Sequence, residues 1–195
     1  LLAGHGKGKV SVKWDGAPAI FAGTDPSDGK FFVAKKGIFN KNPMVYKTNA
    51  DIDADTDGDL NAKLKEALLY LPELGIKGVI QGDFLFGKGD VATKTIEGQK
   101  YTVFHPNTIA YAVPYDQSKS VRDAKIGIVW HTTYKGSTFE SMSASYGVDV
   151  SKLKKSKNVW SQDAMLRDAT KATMSEKDTK EVNGLLTQIG LLFKQ

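Results

Sequence analysis

Short runs of β-branched and aromatic residues dominate the first two thirds of the chain, and such runs favour β-strands. Seven of them predict strands, at residues 10–14, 19–21, 31–34, 78–86, 101–104, 108–113 and 126–133. Residues 24–29 combine Asp, Pro, Ser and Gly, which are typical turn residues, between the second and third runs. This arrangement predicts a hairpin at the start of a mainly antiparallel sheet.

One helix is predicted between these strands. Apolar residues recur at three- and four-residue steps from Leu60 to Leu71, and Pro72 follows them. This spacing places the apolar residues on one face of a helix, and the proline marks its end.

The last quarter of the chain has a different pattern. Ser161 predicts the cap of a short helix that reaches about Ala169. Ser175 with Asp178 predicts the start of a longer helix, because a serine followed three residues later by an acid is a capping pattern. An apolar stripe from residue 182 to residue 193 predicts that this second helix packs on the sheet.

Together these elements predict an α+β protein with mainly antiparallel sheets. Residues 1–150 form the predicted domain, and residues 151–195 form a helical C-terminal segment that packs on it or leads to a missing region. Residues 151–158 contain four lysines and are the predicted linker.

The composition excludes several classes of protein. The 195 residues are 41% hydrophobic and 25% charged, which is typical of a globular protein. Cysteine is absent, which excludes a disulfide framework, a cysteine-ligated zinc and a thiol nucleophile. The chain has no apolar run of about 20 residues for a membrane span, and we expect a cytoplasmic location. Its start at Leu1-Leu2, without methionine, predicts a fragment or a processed product.

The charge balance is basic. Lysine and arginine number 27 against 22 acidic residues, and only Arg122 and Arg167 are arginines. A positive excess suits a polyanionic partner such as nucleic acid or nucleotide phosphate. A lysine-rich solubilising surface is the alternative, and charge by itself does not choose between the two.

The segment Lys13-Trp14-Asp15-Gly16 carries the clearest candidate chemistry, because it lies where a predicted strand runs into a turn. A lysine attacks as a neutral amine, and partial burial or a neighbouring cation such as Lys35 or Lys36 favours that form. A glycine at position 16 would let a nucleotide approach the backbone closely. A solvent-facing lysine before a turn is the alternative interpretation.

Three segments in order resemble motifs of the covalent nucleotidyltransferase superfamily, which includes ATP-dependent DNA ligases, RNA ligases and mRNA-capping enzymes. Lys13-Trp14-Asp15-Gly16 resembles the family's Lys-x-Asp-Gly motif, whose lysine attacks the α-phosphate of a nucleotide. Residues 31–37, which end in Lys35-Lys36-Gly37, resemble the second motif. Residues 78–87 resemble the family's strand with Gly-Glu, with Asp83 in the position of the glutamate. The resemblance covers about residues 10–113.

The resemblance implies roles for individual residues. Lys13 would be the catalytic nucleophile, with Trp14, Asp15, Gly16, Lys35 and Lys36 around a bound ATP. Asp83 would contact the nucleotide or hold Mg²⁺. Tyr111 is the candidate aromatic over the adenine, with Tyr101 and Phe104 as alternatives. RNA or DNA ends would be the partner of a ligase.

Two later family motifs have partial counterparts. Glu97-Gly98-Gln99-Lys100 matches the residues of the later Glu-Gly motif but precedes Tyr111, which is the wrong order. Lys152-Leu153-Lys154 has the spacing of the last motif, which pairs two lysines on a strand. Either the remaining motifs lie beyond Gln195 or the metal site is degenerate. His131, at the end of an apolar strand, is interpreted as a structural residue, with a place in the same cleft as the alternative.

The sequences of residues 13–19, 82–86 and 104–107 also resemble those of uncharacterised proteins of T4-like tailed phages. We therefore expect an ATP-dependent polynucleotide ligase of RNA-ligase type that forms a lysyl-AMP intermediate. The alternative is a catalytically degenerate phage protein of the same fold that binds nucleotide or nucleic acid. A phage structural or assembly role is a third hypothesis.

Overall fold

The computed structural model describes residues 10–169 and 173–193. The chain divides into two compact units, Trp14–Ala164 and a smaller one that joins Leu1–Lys13 with Met165–Gln195. The strands are β1 (Ser11–Lys13), β2 (Ala19–Thr24), β3 (Phe31–Ala34), β4 (Val79–Gly87), β5 (Ala92–Ile96), β6 (Gln99–Phe104), β7 (Tyr111–Pro114), β8 (Ile126–Lys135), β9 (Ser143–Tyr146), β10 (Val159–Asp163) and β11 (Met165–Asp168). The helices are α1 (Asn49–Asp55), α2 (Gly58–Tyr70), α3 (Lys119–Asp123) and α4 (Glu176–Leu192).

The predicted α+β class with mainly antiparallel sheets is confirmed. Each of the seven predicted runs overlaps a strand. The hydrophobic pattern does not predict β5, β9, β10 and β11. The residues of β5, β9 and β11 are exposed throughout, so these strands carry no alternation of apolar and polar positions that a sequence pattern could reveal.

A six-stranded sheet forms the centre of the larger unit. Its order is β10-β8-β4-β2-β3, with β9 added to β8. The β8–β10 pair is parallel and the other pairs are antiparallel. The central strand β4 is buried along almost its whole length, which explains its near-continuous apolar sequence.

Helices α1 and α2 cover one face of this sheet. Leu64 and Ala67 of α2 are fully buried in a core cluster with Phe84 of β4 and Trp130 of β8. This is the face predicted from the helical spacing. The helix ends at Tyr70, and a 3-10 turn, Leu71–Leu74, accommodates the proline.

The opposite face has a polar gap between two apolar clusters. Val79 of β4 belongs to one cluster and Leu85 to the other. Because strand side chains alternate between faces, Gln81 and Asp83 lie on this face between them. Strand β8 has a bulge here, since Gln81 pairs with Thr132 and the next residue of β4 pairs with Trp130. The gap therefore places polar side chains on an otherwise apolar sheet surface.

A second sheet of the larger unit contains β5, β6 and β7. Glu97 and Gly98 form the turn between β5 and β6, with φ of 49° and 80°. Two successive positive φ values are those of the tight turn that suits a two-residue hairpin. Residues 97–100 match the residue types of a later family motif. Glu97 and Gly98 form the hairpin turn, and Gln99 and Lys100 are the exposed start of β6.

The short helix predicted from Ser161 is wrong. Residues 159–163 form β10 and residues 165–168 form β11. The hydroxyl of Ser161 accepts a hydrogen bond from the indole Nε1 of Trp130 at 2.8 Å, so it serves the sheet and not a helix cap.

The longer C-terminal helix is confirmed. Ser175 caps α4, and its hydroxyl accepts a hydrogen bond from the backbone N–H of Asp178. None of the residues of α4 is buried, and its apolar stripe is exposed, for example Leu185 at 53%. No helix in residues 10–169 and 173–193 is long and apolar enough to cross a membrane.

A buried carboxylate anchors the hairpin between β2 and β3. Asp25 is only 3% exposed, and its Oδ2 lies 2.6 Å from the Nζ of Lys47. The backbone N–H and hydroxyl of Ser27 donate hydrogen bonds to its Oδ1 at 2.8 and 2.6 Å. Burial would raise the pKa of Asp25, but the hydrogen bonds from Lys47 and Ser27 outweigh it and lower that pKa below its usual value.

We predict that Lys47→Met lowers the free energy of unfolding by about 1–3 kcal/mol near neutral pH, because it leaves a buried carboxylate without its cation. A lowered pKa stabilises the fold at neutral pH, and that stabilisation is lost as the pH falls through the pKa of folded Asp25. The loss caused by Lys47→Met should therefore shrink between about pH 7 and about pH 3.

Urea unfolding at several pH values measures this difference. Lys30→Met, in the same hairpin but exposed, is the matched control and should change stability by less than about 0.5 kcal/mol. A Lys47→Met effect that is the same at both ends of the pH range would contradict the electrostatic explanation.

Candidate functional site

The segment after Lys13 lies directly beside β4. The backbone N–H of Ala17 donates to the carbonyl of Phe84 at 3.0 Å, and the N–H of Phe84 donates to the carbonyl of Pro18 at 3.0 Å. The pairing continues into β2, where Ala19 lies opposite Asp83. The first and third segments of the family resemblance are therefore neighbours in the fold, although about 70 residues separate them in the sequence.

Gly16 makes this close approach possible. A Cβ atom at position 16 would lie 2.4 Å from the carbonyl oxygen of Phe84 and 2.9 Å from Cδ2 of Leu85. Both distances are shorter than van der Waals contacts allow. The glycine predicted to admit a nucleotide is thus required by the packing of the segment on β4.

Two polar side chains from the β6–β7 region hold Asp15. The hydroxyl of Tyr111 accepts a hydrogen bond from the backbone N–H of Asp15 at 2.8 Å and donates one to its carbonyl at 3.0 Å. The amide of Asn107 donates to Oδ2 of Asp15 at 2.8 Å. The peptide groups and the carboxylate of Asp15 are therefore oriented by residues that lie more than 90 positions away in the chain.

Aromatic rings surround Trp14. Its ring centroid lies 4.6 Å from that of Tyr111 and 5.7 Å from that of Trp160. Tyr111 also packs against Phe104 at 5.4 Å. The structure places Tyr111, the candidate aromatic for the adenine, beside this segment, where its hydroxyl binds the backbone of Asp15 and its ring contacts Trp14.

Asp83 and His131 face each other in the polar gap. Nε2 of His131 lies 3.5 Å from Oδ1 of Asp83, and Nδ1 lies 2.8 Å from the hydroxyl of Thr132. Asp83 is 7% exposed. The bulge in β8 brings His131 to this position, in line with the tendency of bulges to redirect a side chain.

A Mg²⁺ ion would find only part of its ligand set in this site. Among the residues that the structure describes, no group of three or more histidine or acidic side chains could hold a metal ion. Mg²⁺ often binds through one or two carboxylates and takes its other ligands from water and substrate phosphates. Asp83 fits that mode and not a site built entirely from protein ligands.

The predicted basic residues have different surroundings. The Nζ of Lys35 lies 2.8 Å from Oδ2 of Asp55, and Tyr46 donates a hydrogen bond to the same oxygen at 2.5 Å. The hydrogen bond between Lys35 and Asp55 raises the pKa of Lys35. Tyr46 belongs to the helix-covered core cluster. The ammonium group of Lys35 therefore lies on the helix-covered side of the sheet, whereas Asp83 lies on the opposite face. Lys36 is exposed at the start of a 3-10 helix.

Lys13 is the last residue of β1 in the smaller unit, and it immediately precedes Trp14 in the chain. Its backbone pairs with Met165 of β11. The larger unit by itself therefore gathers Trp14, Asp15, Gly16, Asp83 and Tyr111.

The sequence pattern does not identify Asn107 as a site residue, and it gives His131 a place in the cleft only as the alternative to a structural role. Asn107 follows His105-Pro106 in a loop, and its Oδ1 accepts the N–H of Ile109 at 2.7 Å, a turn that a local pattern can suggest. Its contact with Asp15 is long-range and has no local signal. The position of His131 at the end of an apolar strand suggests the cleft, but the bulge that turns it toward Asp83 has no local signal.

We predict that Gly16→Ala lowers the free energy of unfolding by about 1–3 kcal/mol, because the new methyl group collides with the backbone of β4. Gly89→Ala is the matched control, since a Cβ at position 89 meets no atom within 4 Å. Denaturant unfolding of both variants measures the difference. Equal stability of the two variants would contradict the proposed packing of Gly16.

Comparison with known proteins gives the chain a family but no described activity. No curated protein sequence matches the chain, and no solved structure matches it. The model of a family of unknown function, DUF6267, matches residues 1–195. The chain therefore belongs to the family of unknown function DUF6267.

Proposed function

We propose that the chain is a nucleotidyltransferase of the kind found in ATP-dependent RNA and DNA ligases, with Lys13 as the residue that carries AMP. The observation that supports this most strongly is the pairing of residues 17–19 with Phe84 and Asp83 of β4. It joins the segment after the Lys-x-Asp-Gly motif to the strand with the Gly-Asp motif. The family that the sequence resembles uses both segments in its nucleotide site, so their proximity supports the resemblance beyond the match of four residues.

In this proposal, residues of the larger unit bind and orient ATP. Trp14, Asp15 and Gly16 would contact the nucleotide, and Tyr111 would hold Asp15 in place or contact the base. Lys36 is exposed and is the better candidate for the phosphates, since Lys35 would first have to exchange Asp55 for them. Bound Mg²⁺ would neutralise phosphate oxygens and orient pyrophosphate as the leaving group, and Asp83 would hold it.

The transfer step follows from the chemistry of a lysine nucleophile. The lone pair of the neutral Lys13 amine attacks the α-phosphorus of ATP, and a nitrogen–phosphorus bond forms. The bond from the α-phosphorus to the bridging oxygen breaks, pyrophosphate leaves with the electron pair, and the amine gives a proton to solvent. In a ligase the AMP would next pass to a 5′-phosphate end, and a 3′-hydroxyl would displace it. The reaction would take place in the cytoplasm of a bacterial or phage-infected cell.

A second candidate is a protein of the same kind that binds nucleotide or nucleic acid without covalent transfer. Two observations favour it. The ammonium group of Lys35 is paired with Asp55. Glu97 and Gly98 form a hairpin turn, whereas the family's later glutamate motif lies on a strand. The covalent step distinguishes the two candidates.

We predict that incubation with α-labelled ATP and Mg²⁺ attaches label to the protein, and that Lys13→Ala abolishes it. A denaturing gel measures the label, because a phosphoramide survives denaturation whereas bound ATP does not. Lys41→Ala removes an exposed lysine elsewhere and should retain full labelling. Labelled GTP in a parallel reaction separates ligase-type from capping-type activity.

Label on Lys13→Ala would reject Lys13 as the nucleophile. Absence of label on the unaltered protein, together with reversible ATP binding in an equilibrium measurement, would reject the covalent function in favour of the second candidate. Absence of label, of ATP binding and of nucleic-acid binding would reject both candidates.

We further predict that Tyr111→Phe slows lysyl-AMP formation by about tenfold or more, because misorientation of a reacting segment is costly. The ring contacts with Trp14 and Phe104 remain, and only the two hydrogen bonds to Asp15 are lost. Single-turnover labelling measures the rate. Tyr101→Phe, which loses a hydroxyl bonded to exposed Gln99, is the control and should label at the normal rate. An equal rate for Tyr111→Phe would contradict the orienting role of its hydroxyl.

A further inference from the structure

The lysine-rich segment predicted as a linker is held firmly on the larger unit. The N–H of Lys154 donates to the carbonyl of Leu74 at 2.8 Å. Ser156 donates to one oxygen of Glu73 at 2.5 Å, and Asn158 donates to the other at 2.9 Å. These contacts fix the backbone of the segment, so its lysine side chains extend from a defined frame and not from a flexible tether.

Three of these lysines line an open groove of about 470 Å³. We call it the basic groove and define it by Lys154, Lys155, Lys157, Trp160 and Gln162. Its volume lies in the range of small-molecule sites, roughly 300–1,000 Å³. All three lysines are exposed. In the described part of the chain, none of the three forms an ion pair within 4.0 Å.

Two further lysines extend the positive charge along the end of the sheet. Gly87 of β4 pairs with Ile126 of β8. Lys88 directly follows Gly87 and Lys125 directly precedes Ile126, so the two lysines lie at the same end of the sheet. The N–H of Lys125 donates to the carbonyl of Asn158 at 2.8 Å, which joins this edge to the lysine-rich segment. A hydrogen-bond contact with Lys125, together with its charge, lowers the pKa of Lys88. Two neighbouring ammonium groups are stabilised when an anion lies between them.

The acidic side chains nearby are already engaged. Asp123, which also lines the groove, is paired with Lys119 of the same helix. Glu73 accepts hydrogen bonds from Ser156 and Asn158. The groove and its edge therefore present a net positive surface to an incoming ligand.

The shape and chemistry of the groove favour one kind of polyanion. An indole and an amide lie among the lysines, and single-stranded nucleic acids bind where aromatic rings stack on bases and cations follow the phosphates. A phospholipid surface is flat and does not enter a groove. An acidic peptide has the negative charge but no series of flat bases for Trp160.

We propose that single-stranded nucleic acid binds in the basic groove, with phosphates on Lys125, Lys155 and Lys157 and a base on Trp160. This inference rests on the nucleic-acid partner of the proposed function, but not on its covalent chemistry. None of the groove residues is among those assigned to ATP.

The test is fluorescence anisotropy with a labelled single-stranded oligonucleotide of about 16 nucleotides, without ATP, over a range of salt concentrations. The variant Lys125→Gln/Lys155→Gln/Lys157→Gln should bind at least about tenfold more weakly than the unaltered protein. Its slope of log affinity against log salt should be smaller by about 2, because each lost phosphate contact removes about 0.7. Lys30→Gln/Lys94→Gln/Lys100→Gln removes the same charge from exposed sites outside the groove and should weaken binding less than threefold or so.

Tryptophan fluorescence tests the base contact without a substitution at Trp160, which is partly buried and also packs against Phe86. The oligonucleotide should quench the fluorescence, whereas heparin, a polyanion without bases, should bind without quenching. Equal weakening in the two triple variants, absence of quenching, or tighter binding of acidic vesicles or polyglutamate than of the oligonucleotide would overturn the proposal. Thermal unfolding confirms that each variant is folded.

The outcome is separable from that of the proposed function. The groove variant should retain labelling of Lys13, since its lysines do not contact ATP. Groove binding without any lysyl-AMP would support this inference and reject the covalent function. Lysyl-AMP formation with no specific loss in the groove variant would do the reverse.

Discussion

The larger unit depends on the backbone of Phe84, which joins the Lys-x-Asp-Gly segment to the central strand of the sheet. Its carbonyl and N–H pair with Ala17 and Pro18, its ring fills the core beneath α2, and its carbonyl leaves no room for a side chain at position 16. A buried peptide group without a partner costs about 1–3 kcal/mol, so the segment cannot leave β4 without a large loss. Asp83, the neighbour of Phe84, is carried to the same place by the same ladder.

The lysines of this basic chain differ in their interactions: some form ion pairs within the protein, and others are exposed to solvent. Lys47 compensates a buried carboxylate, and Lys35 is paired with Asp55 on the helix-covered side of the sheet. Those of the basic groove extend from a segment that hydrogen bonds of Lys154, Ser156 and Asn158 hold against Leu74 and Glu73. A net charge counts all of these residues alike, which explains why the composition could not choose between a solubilising surface and a surface for a polyanion.

Local patterns were sufficient for elements with a strong periodicity. The spacing of apolar residues in α2 and the capping pair at Ser175 correspond to helices, and the apolar runs correspond to strands. They failed at Ser161, where a good capping residue lies in a strand because the parallel edge beside β8 and the indole of Trp130 supply its partners. The prediction of a linker at residues 151–158 failed for the same reason. A run of lysines is typical of a flexible segment, and its contacts with Glu73 have no local signal.

The sequence by itself determined seven of the strands, helices α2 and α4, and the three segments that resemble nucleotidyltransferase motifs, because these features depend on residues close together in the chain. The tertiary structure alone decided that Tyr111 and Asn107 orient Asp15, that His131 reaches Asp83, and that Lys35 is directed away from it. The contact of His131 depends on a bulge, and those of Asp83 and Tyr111 depend on strand register, where a shift of one residue would turn the side chain to the other face.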